Sequence, residues 1–532
     1  MSTLQEKPAA PQGAEELPAF SVMPTAEEYA AQARTHARLF LLGGGLLAGL
    51  VAAAFVAFGL DNIFLPIALL IVVLTPILLW RFPRLTFYFT LIAASLFELS
   101  VIIGPDGQQF SDSLTDRVPI FWNVNTIFQT YAHANFKGVP LNLFEIFILI
   151  AGVCSCLRAV YSQNTSLRGG PLLLPVGIYM AFVLMGWANG MLTGGDFKIS
   201  LQEVRSQLYF GLAYLLAVNL IRDRRQLGVV LWTVAACIAF KGVLLTFRCY
   251  VTLHGLPVPD QGVGSHEEVF FFDCFTALLL ALWAFGTYPK LRWFMTALLP
   301  FVLLGSLACN RRAGTAAFIV IVPLLILAAY QALPVRRRLI AALSIVGFAL
   351  FAGYYVTFQN SDSLIAQPAR AIKSQFQPDP RDASSNAYRD AEDADLMATI
   401  HSAPVQGYGY GKRMFHAVPI ADISKQYEWW DVMTHNQVLW VWMRVGTLGF
   451  LAYWMMVSAI LICAARTLRD PSADPQIKTA ALAAMLIVGA LQVFGLLDLQ
   501  FSNSRDMLFT GLWAGIAAVL PLLASQKSEA RR

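Results

Sequence analysis

Apolar runs of roughly twenty residues recur along the chain, most of them separated by a short polar or basic segment. A run of that length crosses the hydrocarbon core of a bilayer as one helix. Fourteen such stretches occur, at 39–60, 63–80, 85–104, 141–159, 172–192, 206–221, 226–247, 269–287, 293–309, 315–332, 339–357, 436–464, 479–496 and 507–524. The sixth and ninth are short enough to be tilted or partly re-entrant. The pattern predicts an all-α polytopic membrane protein of about 14 transmembrane helices. Composition agrees: of 532 residues, 57% are hydrophobic and only 13% charged, with mean hydropathy +0.58. Soluble domains carry about a quarter charged residues, so a soluble enzyme is excluded and no nucleic-acid partner is expected.

Basic residues fix the orientation. Arg81/Arg84, Arg158/Arg168, Arg222/Arg224/Arg225, Lys290/Arg292, Arg336/Arg337/Arg338 and Arg466/Arg469/Lys478 fall in alternate connections, together with Arg34, Arg38 and the C-terminal Lys527/Arg531/Arg532. The other connections hold only scattered cations. The positive-inside rule therefore predicts both termini in the cytoplasm. Residues 1–38 are Pro/Ala/Glu-rich and lack the basic start and apolar core of a signal peptide, so they are expected to be a disordered cytoplasmic tail. The expected organisation is a membrane domain over 39–357, a long outer loop over 358–435, three helices over 436–524, and a short cytoplasmic tail over 525–532. Within the loop, "NAYRDAEDADLMATIHSAPVQGYGYGK" reads as a helix followed by a glycine turn. The seven cysteines are scattered and read as small buried hydrophobes.

Five ionisable residues stand inside the spans, where a charge is costly and tends to mark function. Glu98, Glu145, Lys241, Asp273 and Arg444 all fall in the outer half of the membrane under this topology. One-sided polarity predicts a cavity that opens outward, where a lipid-borne substrate meets an aqueous one. The alternative for each is a satisfied structural ion pair.

Outer-face arginines add the next clue, because a guanidinium binds phosphate oxygens in a fixed bidentate fork. Candidates are Arg205, Arg311, Arg312 and Arg389; rim salt bridges are the competing explanation. His435 stands at the mouth of the twelfth span, where a neutral imidazole suits proton transfer. Acidic residues on this face show no metal-ligand spacing, so no metal or other cofactor is expected.

Three motifs carry a family resemblance. "THNQVLWVWMRVGTLGF" resembles the His-Asn-x-x-Leu-x6-Gly signature of the O-antigen ligase / O-antigen polymerase family of bacterial inner-membrane glycosyltransferases, through His435, Asn436, Leu439 and Gly446. "LGSLACNRRAGTAAFIVIV" is similar to the family's Ser-x-Ser-Arg-x-Gly helix opening at Arg312 and Gly314, and departs from it at Asn310-Arg311. The stretch between them keeps Arg389, Pro404, Gly407 and Gly409. The resemblance covers about residues 300–450. Earlier residues agree only in hydropathy.

The resemblance implies a multi-pass enzyme of the bacterial inner membrane with a periplasmic active site. Such an enzyme moves glycan from an undecaprenyl-diphosphate-linked donor to a growing glycan or lipid-core acceptor, without a metal and with inversion, in O-antigen or exopolysaccharide biosynthesis. Membrane lipids, polysaccharide-assembly proteins and chain-length proteins are the expected further partners. It implies His435 as acceptor base, Arg312 with Arg205 and Arg311 on the pyrophosphate, and Arg389, Tyr408, Tyr410 and Asn436 on glycan or acceptor. Arg444 either polarises the cavity or pairs with Glu98 or Glu145. A flippase for lipid-linked glycan is the competing class; it predicts inward-facing polar groups or paired broken helices. A non-catalytic assembly subunit is another. Polymerase and ligase remain equal alternatives.

Overall fold

A computed structural model describes residues 81–96, 102–103, 109–110, 143–161, 168–253, 258, 262–265, 267–425 and 428–529, with isolated positions between Arg38 and Ala53. The expected tail, the first two expected spans for the most part, and Glu98 lie outside the described residues.

The architecture is helical: α1 (Pro83–Leu96), α2 (Leu143–Tyr161), α3 (Leu173–Leu192), α4 (Phe197–Leu220), α5 (Arg224–Phe247), α6 (Glu268–Phe285), α7 (Pro289–Ala308), α8 (Arg312–Ala332), α9 (Arg337–Phe358), α10 (Gln367–Phe376), α11 (Pro380–Ser402), α12 (Gln437–Arg469), α13 (Pro475–Leu497) and α14 (Ser504–Glu529). The only pairing of extended chain among the described residues joins Ile102–Ile103 to Gln109–Phe110. Nine helices among these residues are long and apolar enough to cross a membrane: α3, α5 to α9 and α12 to α14. Each coincides with an expected span. The protein is thus a multi-pass, all-α membrane protein. Helices suit lipid because every backbone polar group is bonded within its own segment.

Helix starts follow local chemistry. Asp196 caps α4 by accepting from Ile199 N (2.8 Å), Asp379 caps α11 through Asp382 N (2.7 Å), and Asn436 caps α12 through Leu439 N (3.2 Å). The expected helix over "NAYRDAEDADLMATIHS" is α11, and α10 precedes it on the same segment.

α13 and α14 form the buried centre, with α4, α6, α8 and α12 packed around them. Small residues set the spacing, as expected where lipid removes the hydrophobic drive between helices. Gly511 and Gly515 of α14 lie directly on the α4 backbone; a Cβ at Gly511 would stand 2.9 Å from Phe210 C, and one at Gly515 2.8 Å from Tyr214 O. By contrast α9 buries no residue and touches α8 and α10 at the periphery.

Gly511→Val forces α4 and α14 apart and is expected to lower stability by about 1–3 kcal/mol. Thermal unfolding of the purified protein in detergent checks this; an unchanged midpoint contradicts the close packing.

Candidate active site

The segment between α9 and α12 is fastened to the bundle by one buried ion pair. Arg444 of α12 and Glu203 of α4 are both fully buried, with Nη2 and Oε1 2.6 Å apart. Arg444 also donates to Gly409 O (2.8 Å) and Val432 O (2.9 Å). Glu203 accepts from Gly411 N (2.6 Å) and Trp440 Nε1 (3.2 Å). Both charges are therefore neutralised and bonded, which a buried charge requires.

The glycine turn threads through this junction. Gly407, Gly409 and Gly411 all have φ between 79° and 87°, a region that side chains disfavour. Gly446 breaks α12 with φ 71° and ψ 178°. A Cβ at Gly409 would stand 2.6 Å from Gly190 N, and one at Gly446 2.5 Å from Gly407 N. Tyr408 N donates to Met443 O (2.7 Å) and Thr447 N to Pro404 O (2.9 Å), so the loop satisfies backbone groups that the kink releases.

Above this junction lies a cavity of about 570 Å³. Arg311 and Arg312, at the start of α8, form one wall. α10 contributes Arg370 and Lys373, α11 contributes Arg381 and Arg389, and His435 stands at the mouth of α12. Against these six cations the lining has four carboxylates, Asp362, Asp379, Asp382 and Asp498. Arg312 is held by Asp382 (3.5 Å) and Ser385 Oγ (3.4 Å). Arg370 donates to the Ser361 and Ser363 carbonyls, and Lys373 to Asn360 Oδ1. These neutral acceptors fix the two cations without cancelling their charge. Such a lining suits a polyanionic ligand such as a diphosphate.

His435 is docked on α11. Glu392 accepts from His435 N (2.8 Å), and its two oxygens lie 3.1 and 3.3 Å from His435 Nδ1. The Tyr388 ring stands edge-on to the imidazole at 6.0 Å. Asn436 Nδ2 donates to Asp393 (3.2 Å). Burial pushes the Asp393 carboxyl up, with the Asn436 bond opposing it. One turn along α11, buried Asp395 accepts from Ala417 N (2.7 Å) and Val418 N (2.8 Å) and contacts His416.

The structure thus brings together Arg311, Arg312, Arg389 and His435, and it corrects several other expectations. Arg205 does not line this cavity; its guanidinium lies 3.5 Å from Glu145, which is buried. Arg444 pairs with Glu203 rather than Glu98 or Glu145. Tyr410 is completely buried, edge-on to Trp440, and cannot stack on a sugar. Tyr408 lies against Phe415 and Lys412 and is absent from the lining. Asn436 caps a helix. Lys241 is buried on Glu268, which also holds Arg505, and Asp273 is buried on α6. Sequence reasoning missed Glu392, Arg370, Lys373, Arg381 and Asp498. The i, i+3 spacing of Arg389 and Glu392 was the available signal, since it puts both on one side of a helix.

The geometry defines a membrane-embedded helical bundle with a net-positive cavity and a carboxylate-held histidine at its edge. Residues 297–454, which supply α8, α10, α11, His435 and the kink in α12, match the family model described as O-Antigen ligase. The O-antigen ligase of Salmonella typhimurium (strain LT2) is 23% identical over 377 residues, spanning 66% of this chain and 86% of that protein. The chain is thus similar to the O-antigen ligase family over the region that supplies the cavity, His435 and the α12 kink.

Arg444→Met leaves the Glu203 carboxylate buried without its cation and is expected to destabilise by about 3–5 kcal/mol. The double variant Glu203→Gln/Arg444→Met should recover much of that loss. Unfolding midpoints of the three proteins check it; a single variant as stable as the parent contradicts the assigned role.

Proposed function

We propose that the chain is a metal-independent, inverting glycosyltransferase that takes glycan from an undecaprenyl-diphosphate-linked donor at the outer face of the bacterial inner membrane. The observation that carries this reading is the cavity in which His435 faces Arg311, Arg312 and Arg389.

The arginines hold the diphosphate and stabilise the charge that develops as it leaves. A diphosphate is a good leaving group and needs little protonation, so guanidinium groups can serve without a metal. His435 takes the proton of the acceptor hydroxyl through a ring nitrogen. The hydroxyl oxygen attacks the anomeric carbon as the bond to the phosphate oxygen breaks, and both electrons of that bond leave with the diphosphate. Attack from the opposite side inverts the anomeric centre. The acceptor is a growing carrier-linked glycan or a lipid core.

His435→Ala is expected to abolish polymer in a strain with no other copy, while carrier-linked donor accumulates on the outer leaflet. Arg312→Gln should lower transfer by about 10²–10³-fold. Surface-polysaccharide gels beside the leaflet distribution of donor check both. Donor accumulating on the cytoplasmic leaflet points to a flippase instead, and unchanged polymer removes His435 from the chemistry.

A further inference from the structure

Glu392 is almost wholly buried on a helix outside the spanning segments, 43 positions before the histidine it binds. Burying a carboxylate is unfavourable unless strong bonds compensate for its lost water. All the hydrogen bonds drawn for it in the described structure go to one residue: the backbone N–H and the ring Nδ1 of His435. We infer that Glu392 is the positioning residue of the base, holding His435 in the tautomer with its proton on Nδ1 and leaving Nε2 free for the acceptor hydroxyl. This inference rests on the function proposed above.

The chemistry follows from donor and acceptor rules. An ionised carboxylate only accepts, so a ring nitrogen in contact with it must carry the proton. The other nitrogen then keeps its lone pair and is the one left to receive a proton. Two attachment points on one residue, backbone and ring, fix both where the imidazole starts and which way it turns. Tyr388 closes one side of the ring, and the Asn436–Asp393 bond holds the next residue on the same helix. When the acceptor proton arrives on Nε2, the imidazolium forms beside the Glu392 charge, which stabilises it. Glu392 itself need not touch substrate.

A purely structural anchor would also be buried and bonded, so the test must separate the two roles. The full chain, purified and reconstituted with a lipid-diphosphate-linked oligosaccharide and an acceptor, is compared as wild type, Glu392→Gln and Glu392→Asp. Glu392→Gln keeps the side-chain shape and an acceptor oxygen but loses the charge. Its kcat is expected to fall by about 10²–10⁴-fold, with KM for the donor within about twofold, and Glu392→Asp should restore part of the rate. 15N NMR of histidine-labelled protein, with the His435 signal identified by its loss in His435→Ala, should show the Nδ1–H form in wild type and a tautomer mixture in Glu392→Gln.

An unchanged kcat per folded molecule with a lowered unfolding midpoint assigns Glu392 to structure alone and overturns the inference. So does a rate loss with the Nδ1–H form intact. If wild type transfers no glycan, the proposed function fails, and the tautomer measurement still decides whether Glu392 orients His435.

Discussion

The placement of the candidate site depends on one buried ion pair. Glu203 and Arg444 come from helices far apart in sequence, and neither charge is tolerable in the membrane without the other. Both also bond the loop: Gly409 O and Val432 O receive from the arginine, and Gly411 N donates to the carboxylate. The pair therefore joins α4, α12 and the glycine turn at a single point. His435 lies only a few residues beyond Val432, so its position is inherited from this junction.

The glycines make that junction sterically possible. With left-handed conformations, Gly407 runs against the backbone of α12, Gly409 against that of α3 and Gly411 against Asp196 at the start of α4, and Gly446 opens α12 to meet them. A helix kink and a loop turn thus compensate one another, each supplying hydrogen-bond partners the other lacks. The basic cavity takes its walls from α8, α10 and α11, with His435 at the mouth of α12. Chemistry and scaffold divide cleanly: cations and His435 face the cavity, while the ion pair sits below it and touches no proposed substrate.

Much of this was legible in the sequence, for identifiable reasons. Long apolar runs declare membrane helices because lipid leaves few other solutions, and nine of the expected spans are found as long apolar helices among the described residues. His435, Arg311, Arg312 and Arg389 stand out on the outer face because a guanidinium suits phosphate and an imidazole suits proton transfer. What failed was pairing. Arg444 looked like a cavity charge, and only the fold shows Glu203 beside it; a contact across more than two hundred residues leaves no local pattern. Tyr410 looked like a sugar platform because turns are normally exposed, yet this turn is driven into the bundle. Glu392 is hard to single out because its i, i+3 spacing from Arg389 is a weak mark among several acids on one helix.

On the proposed reading, the cavity cations stand where a lipid diphosphate departs and the Glu392-held histidine where an acceptor arrives. The central claim is most directly tested by the leaving group. Purified protein would be reconstituted with an undecaprenyl-diphosphate-linked oligosaccharide and a hydroxyl acceptor, and the released lipid identified by mass spectrometry. The account predicts undecaprenyl diphosphate released in a one-to-one ratio with new glycosidic product. Release of the monophosphate, or product formed without loss of the lipid diphosphate, would contradict it.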